Sequence, residues 1–158
     1  MREHLLVLGT SFCLDTETAM APLCFQHRQA RLIQLHNDNG SFWYDLAAFE
    51  PEHWEVLREF LERPELEITG QNLAFDYRVL FANGITLRGT LFDTMIASSL
   101  LANGMANVKH SLAEIVRRKL GRTLDKTLQK QDWMGAQLND ADIAYAMEDV
   151  KVTWELSH

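Results

Sequence analysis

Residues 31–46, RLIQLHNDNGSFWYDL, constrain the fold more than any other stretch of the chain. Two β-prone runs, Arg31–His36 and Ser41–Leu46, flank Asn37–Gly40, where Asn, Asp and Gly mark a turn. The pair predicts a hairpin, and a hairpin brings antiparallel pairing into whatever sheet forms. Phe12–Thr16 predicts a strand before it, and Leu66–Gly70 a short buried strand after it. Helical signals then take over. Pro51 opens a helix through about Leu61, with Trp54, Leu57 and Leu61 on one face. Asn72 stands where it can cap a helix that runs to about Asn83 and stops at Gly84. Asp93 caps another, ending at Asn103–Gly104. Ser111 with Glu114 predicts a capping box for a helix ending at Gly121. Residues Arg122–Gln137 read as an irregular connection, and Asn139 starts a last helix through about Val152. Strands come first and helices dominate later. That order predicts an α/β fold, a mixed β-sheet flanked by helices, in one domain over residues 1–158.

Composition narrows the class. Apolar residues make up 47% of the chain and only three residues are proline, which argues against disorder. No run approaches the roughly 18 apolar residues of a membrane span, so no membrane partner is expected. The apolar run near the N-terminus is short and lacks a small-residue cleavage site, so no signal peptide is expected. Cys13 and Cys24 offer neither a disulfide framework nor metal-type spacing. Cys13 reads as a small core residue, and a cytoplasmic or other reducing compartment is expected. A net charge of −7 argues against a broad electrostatic grip on nucleic acid, unless several acids serve cations instead. The charge is uneven: Lys109, Arg117, Arg118, Lys119, Arg122, Lys126 and Lys130 face only Glu114 and Asp125 within residues 109–130. A solvated helix face accounts for such a segment without any ligand.

Three short patterns carry acids. Asp15 and Glu17 end the first strand, and residues two apart on a strand share a face. Ligands of α/β sheets bind outside the carboxyl ends of strands. A turn or helix start also accounts for the pair. Asp76, in GQNLAFD, falls in the first turn of a helix, where the dipole alone favours an acid. Tyr145 and Asp149, in YAMED, are four apart and share a helix face. Packing also accounts for Tyr145, and Asp142 and Glu148 are further acids on the same helix. Together, four acids at element ends suit a hard-cation site, because Mg²⁺ and Mn²⁺ prefer carboxylate and water oxygens. Two such ions about 4 Å apart can activate a water and stabilise a leaving oxygen. The residues alone reach as far as a candidate two-metal site.

At these residues the chain resembles the tyrosine branch of the DEDD superfamily of 3′–5′ exonucleases. That branch includes the proofreading domain of family A DNA polymerases, ribonuclease D and Werner-type exonucleases. LDTET matches its Asp-x-Glu motif, NLAFD its Asn-x-x-x-Phe/Tyr-Asp motif, and YAMED its Tyr-x-x-x-Asp motif. The sister branch carries histidine five residues before the last Asp, where this chain has Ala144. None of the six histidines fits as a catalytic base, and His110 reads as a residue leading into the helix at Ser111. The resemblance implies a ribonuclease H-like fold and a 3′–5′ exonuclease using two divalent cations, Mg²⁺ or Mn²⁺. It implies that Asp15, Glu17 and Asp149 ligate one ion, and that Asp15 helps hold the second. Asp76 reaches that second ion largely through water. Tyr145 aligns the attacking water, and the product is a 5′-mononucleotide.

The implied partner is the 3′ end of single-stranded DNA or RNA. GQNLAFD and Phe92–Leu101 look more like the polymerase proofreading domain, and Leu124–Trp133 more like ribonuclease D and Werner-type enzymes. The balance leans slightly to DNA, with ribonuclease D-like trimming of RNA 3′ ends as the alternative. In the family, the segment after the first motif meets the last nucleotides, which makes Thr18 and Met20 substrate-binding candidates. Gln71 and Asn72 are candidates beside the second motif. Lys126 and Lys130, with Arg117, Arg118 and Arg122, are candidates to guide the backbone. Phe75 reads as core rather than a base-stacking platform. An inactive exonuclease-like module that binds nucleic acid or protein is a second class, against which the intact acids argue. Little sequence precedes the first motif and the last helix ends soon after Asp149, so the chain is a minimal enzyme or a piece of a longer protein. Apolar surface left bare by missing end helices would favour a dimer.

Overall fold

A computed structural model describes residues 1–18, 29–103, 105–125, 127, 132–134 and 137–158. Helix α1 (Arg2–Leu8) leads into strand β1 (Ser11–Thr18), followed by β2 (Ala30–Asn37) and β3 (Gly40–Asp45). A single 3-10 turn (Leu46–Ala48) joins β3 to α2 (Pro51–Leu61). Then come β4 (Glu67–Gly70), α3 (Leu73–Ala82), β5 (Thr90–Asp93), α4 (Thr94–Leu101), α5 (Leu112–Leu120) and α6 (Asp140–Leu156). The five strands form one sheet in the order β3-β2-β1-β4-β5. β2 and β3 form the expected hairpin, and β1 pairs antiparallel with β2. β1–β4 and β4–β5 are parallel, so the sheet is mixed, as expected. Among the described residues no helix is long and apolar enough to cross a membrane.

Side chains alternate across β1, and the two faces have different covers. Phe12 and Leu14 join Leu5 and Leu8 of α1, Leu57 and Leu61 of α2, and Val79 and Leu80 of α3 in the main core. On the other face Cys13 packs against Val150 and Trp154 of α6. Leu32 of β2 meets Trp133 and Ala146 on that same side. α5 is joined to α6 through Leu112, Val116 and Val152. β1 is thus a central strand covered on both sides, and its C-terminal end is where the cover of α6 meets the start of α3.

Local chemistry pins these elements. Asn37 donates from Nδ2 to the carbonyls of Leu8 (2.7 Å) and Ser11 (2.8 Å), locking the hairpin to the α1–β1 corner. Asp38 accepts from Trp154 Nε1 at 3.0 Å and ties the hairpin to the end of α6. Asn139 caps α6, its Oδ1 accepting from the amides of Ala141 and Asp142, while the Asp142 carboxylate accepts from the backbone amide of Asn139. Asp142 is therefore a buried cap residue, which separates it from Asp149 on the same helix. Gly70 gives room where β4 ends: a Cβ there would lie 2.6 Å from Leu73 Cδ1 and 3.1 Å from the carbonyl oxygen of Leu14, so neighbouring groups would have to shift.

Some expectations need correction. α1 and β5 were not anticipated. Asn72 precedes α3 as expected but does not cap it with its side chain; it is left-handed at φ 56°. Asp93 supplies the cap instead, accepting from the amides of Asn72 (3.0 Å) and Leu73 (2.8 Å) while also accepting from Met95 at the start of α4. The box at Ser111 does not form, because Glu114 turns to Arg117 at 3.0 Å. Around α4 and β5, the large apolar side chains of Leu91, Phe92, Ile96, Leu100, Leu101 and Met105 are exposed.

Candidate active site

Asp15 and Glu17 lie in the second half of β1, two apart and on the face that carries Cys13, the face turned to α6. Both are partly exposed, whereas Thr16 between them is buried on the opposite face. α6 brings Tyr145 and Asp149 to the same end of the sheet. The Tyr145 hydroxyl is pushed well above its ordinary pKa, first by burial and then by the charges of Asp149, Glu17, Asp125 and Asp15. Those fields place three of the four predicted acids around one phenol. Asp15 and Asp149 also share a cleft of about 360 Å³ with Leu14, Gln71, Asn72 and Thr153. Trp133, 2% exposed, packs beside Tyr145 with ring centroids 6.4 Å apart and the planes tilted by 32°.

Asp76 stands back from this group. It is 2% exposed on α3, and Thr16 Oγ1 donates to its Oδ1 at 2.6 Å. Burial pushes its carboxyl up to about 7, the bond from Thr16 opposes that rise, and Asp93 adds to it. Asp15 and Asp76 both act on the buried thiol of Cys13, whose pKa is raised first by burial and then by these two charges. Asp15 therefore sits within electrostatic reach of every other predicted acid's neighbourhood. As the side chains are placed, no three Asp, Glu, His or Cys among the described residues enclose a cation. Like charges favour rotamers that part them, and a carboxylate swings through a few ångströms by torsion alone. The donor set, carboxylate oxygens at a partly open strand end, suits a hard divalent cation and offers nothing to a soft one.

The proposed substrate contacts fare unevenly. Thr18 is partly buried at the end of β1, just past a register shift between Glu17 and Thr18. Gln71 lines the cleft, but its amide is engaged: Nε2 donates to the carbonyl of His110 (2.9 Å) and Oε1 accepts from Thr94 Oγ1 (2.6 Å). Asn72 is exposed at the cleft. Met20, Lys126 and Lys130 lie outside the described residues. Arg117 pairs with Glu114, and Arg122 with Glu155. Arg118 donates to Ser98 Oγ (2.7 Å) and to the carbonyl of Lys109 (3.2 Å), so these arginines are largely tied within the domain. Phe75 packs against the main core, as expected.

Sequence reasoning missed three residues beside the site, Thr16, Trp133 and the buried Gln34, and it missed that Asp93, read as the cap of α4, also caps α3. Thr16 and the second cap made by Asp93 had no signal, because the partners lie 60 and 20 or 21 positions away. Trp133 had one, an isolated tryptophan in a polar stretch, which a search for a distant apolar partner would have used.

The family model for the 3′–5′ exonuclease matches residues 3–158. The chain is 39% identical over 143 residues to DNA polymerase I of Aquifex aeolicus (strain VF5), covering 90% of this chain and 22% of that protein. It is 31% identical over 157 residues to ribonuclease D of Shewanella sp. (strain ANA-3), covering 96% of this chain and 36% of that protein. The chain thus spans between a fifth and two fifths of the length of these relatives. The crystal structure of Escherichia coli RNase D, an exoribonuclease involved in structured RNA processing, superposes with a TM-score of 0.78 at 24% identity. That superposition covers 99% of this chain and 41% of the other. The likeness carries the ribonuclease H-like fold.

Proposed function

The chain belongs to the 3′–5′ exonuclease family, and from that premise we propose that it hydrolyses single-stranded nucleic acid stepwise from the 3′ end. The observation that carries this reading is the meeting of Asp15, Glu17, Asp149 and Tyr145 at one end of β1, beside an open cleft. Asp15, Glu17 and Asp149 would hold one divalent cation, and Asp15 with Asp76, the latter through water, a second. Bound by these carboxylates, divalent cations would supply a water of lowered pKa and neutralise charge on the phosphate. Tyr145 has its part set by its own chemistry. A phenol raised by burial and by four carboxylates stays protonated across the working range, so it would orient a water by hydrogen bonding rather than act as a base. Water oxygen attacks phosphorus, the bond to the 3′ oxygen of the preceding nucleotide breaks, that oxygen takes up a proton, and a 5′-mononucleotide leaves.

DNA is the favoured substrate, on the higher identity to a DNA polymerase I. RNA trimming is the second reading, supported by the ribonuclease D match along 96% of the chain. Sugar choice would fall to Asn72, which lines the cleft, and Thr18, at the end of β1. A reducing compartment fits the buried free thiol of Cys13. The test is incubation of 5′-end-labelled single-stranded DNA and RNA with Mg²⁺, Mn²⁺ or chelator. Stepwise shortening with either ion and none with chelator is expected. Binding without shortening would make the domain an inactive module.

A further inference from the structure

We propose that Gln34 positions the carboxylate of Asp15, donating its side-chain N–H to it when a divalent cation gathers the acids. This rests on the cation-binding reading given above. Gln34 is the cross-strand partner of Asp15 in the β1–β2 ladder and is fully buried. Directly paired residues of an antiparallel ladder point to the same face, with Cβ atoms about 5 Å apart. Gln34 therefore lies under α6 on the face of Asp15, next along β2 from Leu32, which packs against Trp133 and Ala146.

A position closed on both sides of a sheet calls for an apolar side chain. Here it carries an amide with two donor hydrogens and an acceptor oxygen. Both Nε2 and Oε1 of Gln34 are enclosed and meet no hydrogen-bond partner among the described residues. A buried amide in that condition opposes folding, and an apolar replacement of similar shape relieves the cost. Its placement is explained if the amide serves the site. Asp15 is the acid directly opposite, within the sweep of three rotatable torsions. A donor on one carboxylate oxygen fixes the direction of the other and holds it away from Glu17, two residues along the same face. Groups that orient a ligand in this way alter metal affinity by roughly 10–100-fold.

The test compares wild type, Gln34→Met, Gln34→Leu and Asp15→Asn. Mn²⁺ binding is titrated by the paramagnetic resonance of the free ion, and thermal unfolding is followed in chelator. Both Gln34 variants are expected to melt at or above the wild-type temperature in chelator, yet to bind Mn²⁺ about 10–100-fold more weakly. Unchanged Mn²⁺ affinity in both overturns the inference. So does a fall in melting temperature, or a failure to fold, in both, since the amide would then be a structural hydrogen-bonding group. Wild type that takes up no Mn²⁺ rejects the cation reading of the whole site. Binding by wild type, loss in Asp15→Asn and wild-type affinity in Gln34→Met rejects the role of Gln34 alone.

Discussion

Thr16 Oγ1 donates to Asp76 Oδ1 at 2.6 Å, joining the middle of β1 to the first turn of α3 across the buried side of the sheet. The bond favours the ionised carboxylate, while burial resists it more strongly and leaves the group near pH 7. Asp76 is thus a carboxyl whose proton is retained in the folded protein after an unfolded chain has lost it. Between about pH 4 and 7 the native state binds more protons than the unfolded one. Stability must fall as pH rises through that window, by at most about 4 kcal/mol, and the contribution is flat outside it. Urea unfolding of the metal-free protein checks this: Asp76→Asn should gain on wild type steadily from pH 4 to 7. Thr16→Val, which removes the opposing bond, should shift the window upward. A constant difference between Asp76→Asn and wild type would contradict the assignment.

Asp15 and Asp149 line one cleft and act on one phenol. Replacing either with Ala should abolish metal-dependent hydrolysis, a loss of about 10³-fold or more if several kcal/mol of charge stabilisation disappear. The fold should survive, because neither acid is in a core cluster and each removal relieves repulsion. Circular dichroism and chelator melts would show an intact domain beside the lost rate. Full turnover by a folded Asp15→Ala variant would reject the site.

Tyr145→Phe keeps the ring beside Trp133 and removes only the hydroxyl. One lost orienting hydrogen bond to a charged neighbourhood, about 1.5–3 kcal/mol, should slow hydrolysis by roughly 10–100-fold. Mn²⁺ affinity should hardly change. A loss as deep as that of Asp15→Ala would make Tyr145 something other than a water-orienting group.

Asp93 caps two helices with one carboxylate, through the amides of Leu73 and Met95. Asp93→Ala should cost about 1–4 kcal/mol, the sum of two lost caps. It should also loosen the turn at Gln71 and Asn72 that borders the cleft. Asp93→Asn keeps an acceptor and should recover part of the loss in urea melts.

What could be read from the chain divides along lines of distance. β1 to β4, α2 to α6 and the three acid motifs were legible because their signals are local: alternation, caps, two acids two residues apart, and a tyrosine four residues before an acid. α1 was missed because its seven residues begin without a side-chain cap and its apolar run shows no clear period. β5 is four residues long and largely exposed, and it exists because β4 offers it a parallel edge. The capping error at Asn72 has the same origin: the acid that caps α3 is supplied by β5 from 20 positions away. Gln34 was invisible for a related reason. In sequence it is the polar position of an alternating strand, and only the arrival of α6 buries it.

The most direct test of the central claim is a crystal of this chain soaked in manganese chloride and measured at the manganese absorption edge. An anomalous peak within roughly 2.5 Å of carboxylate oxygens from both Asp15 and Asp149 is the predicted result. Full-occupancy data with no peak in that cleft, from protein that still shortens DNA or RNA from the 3′ end, would contradict it.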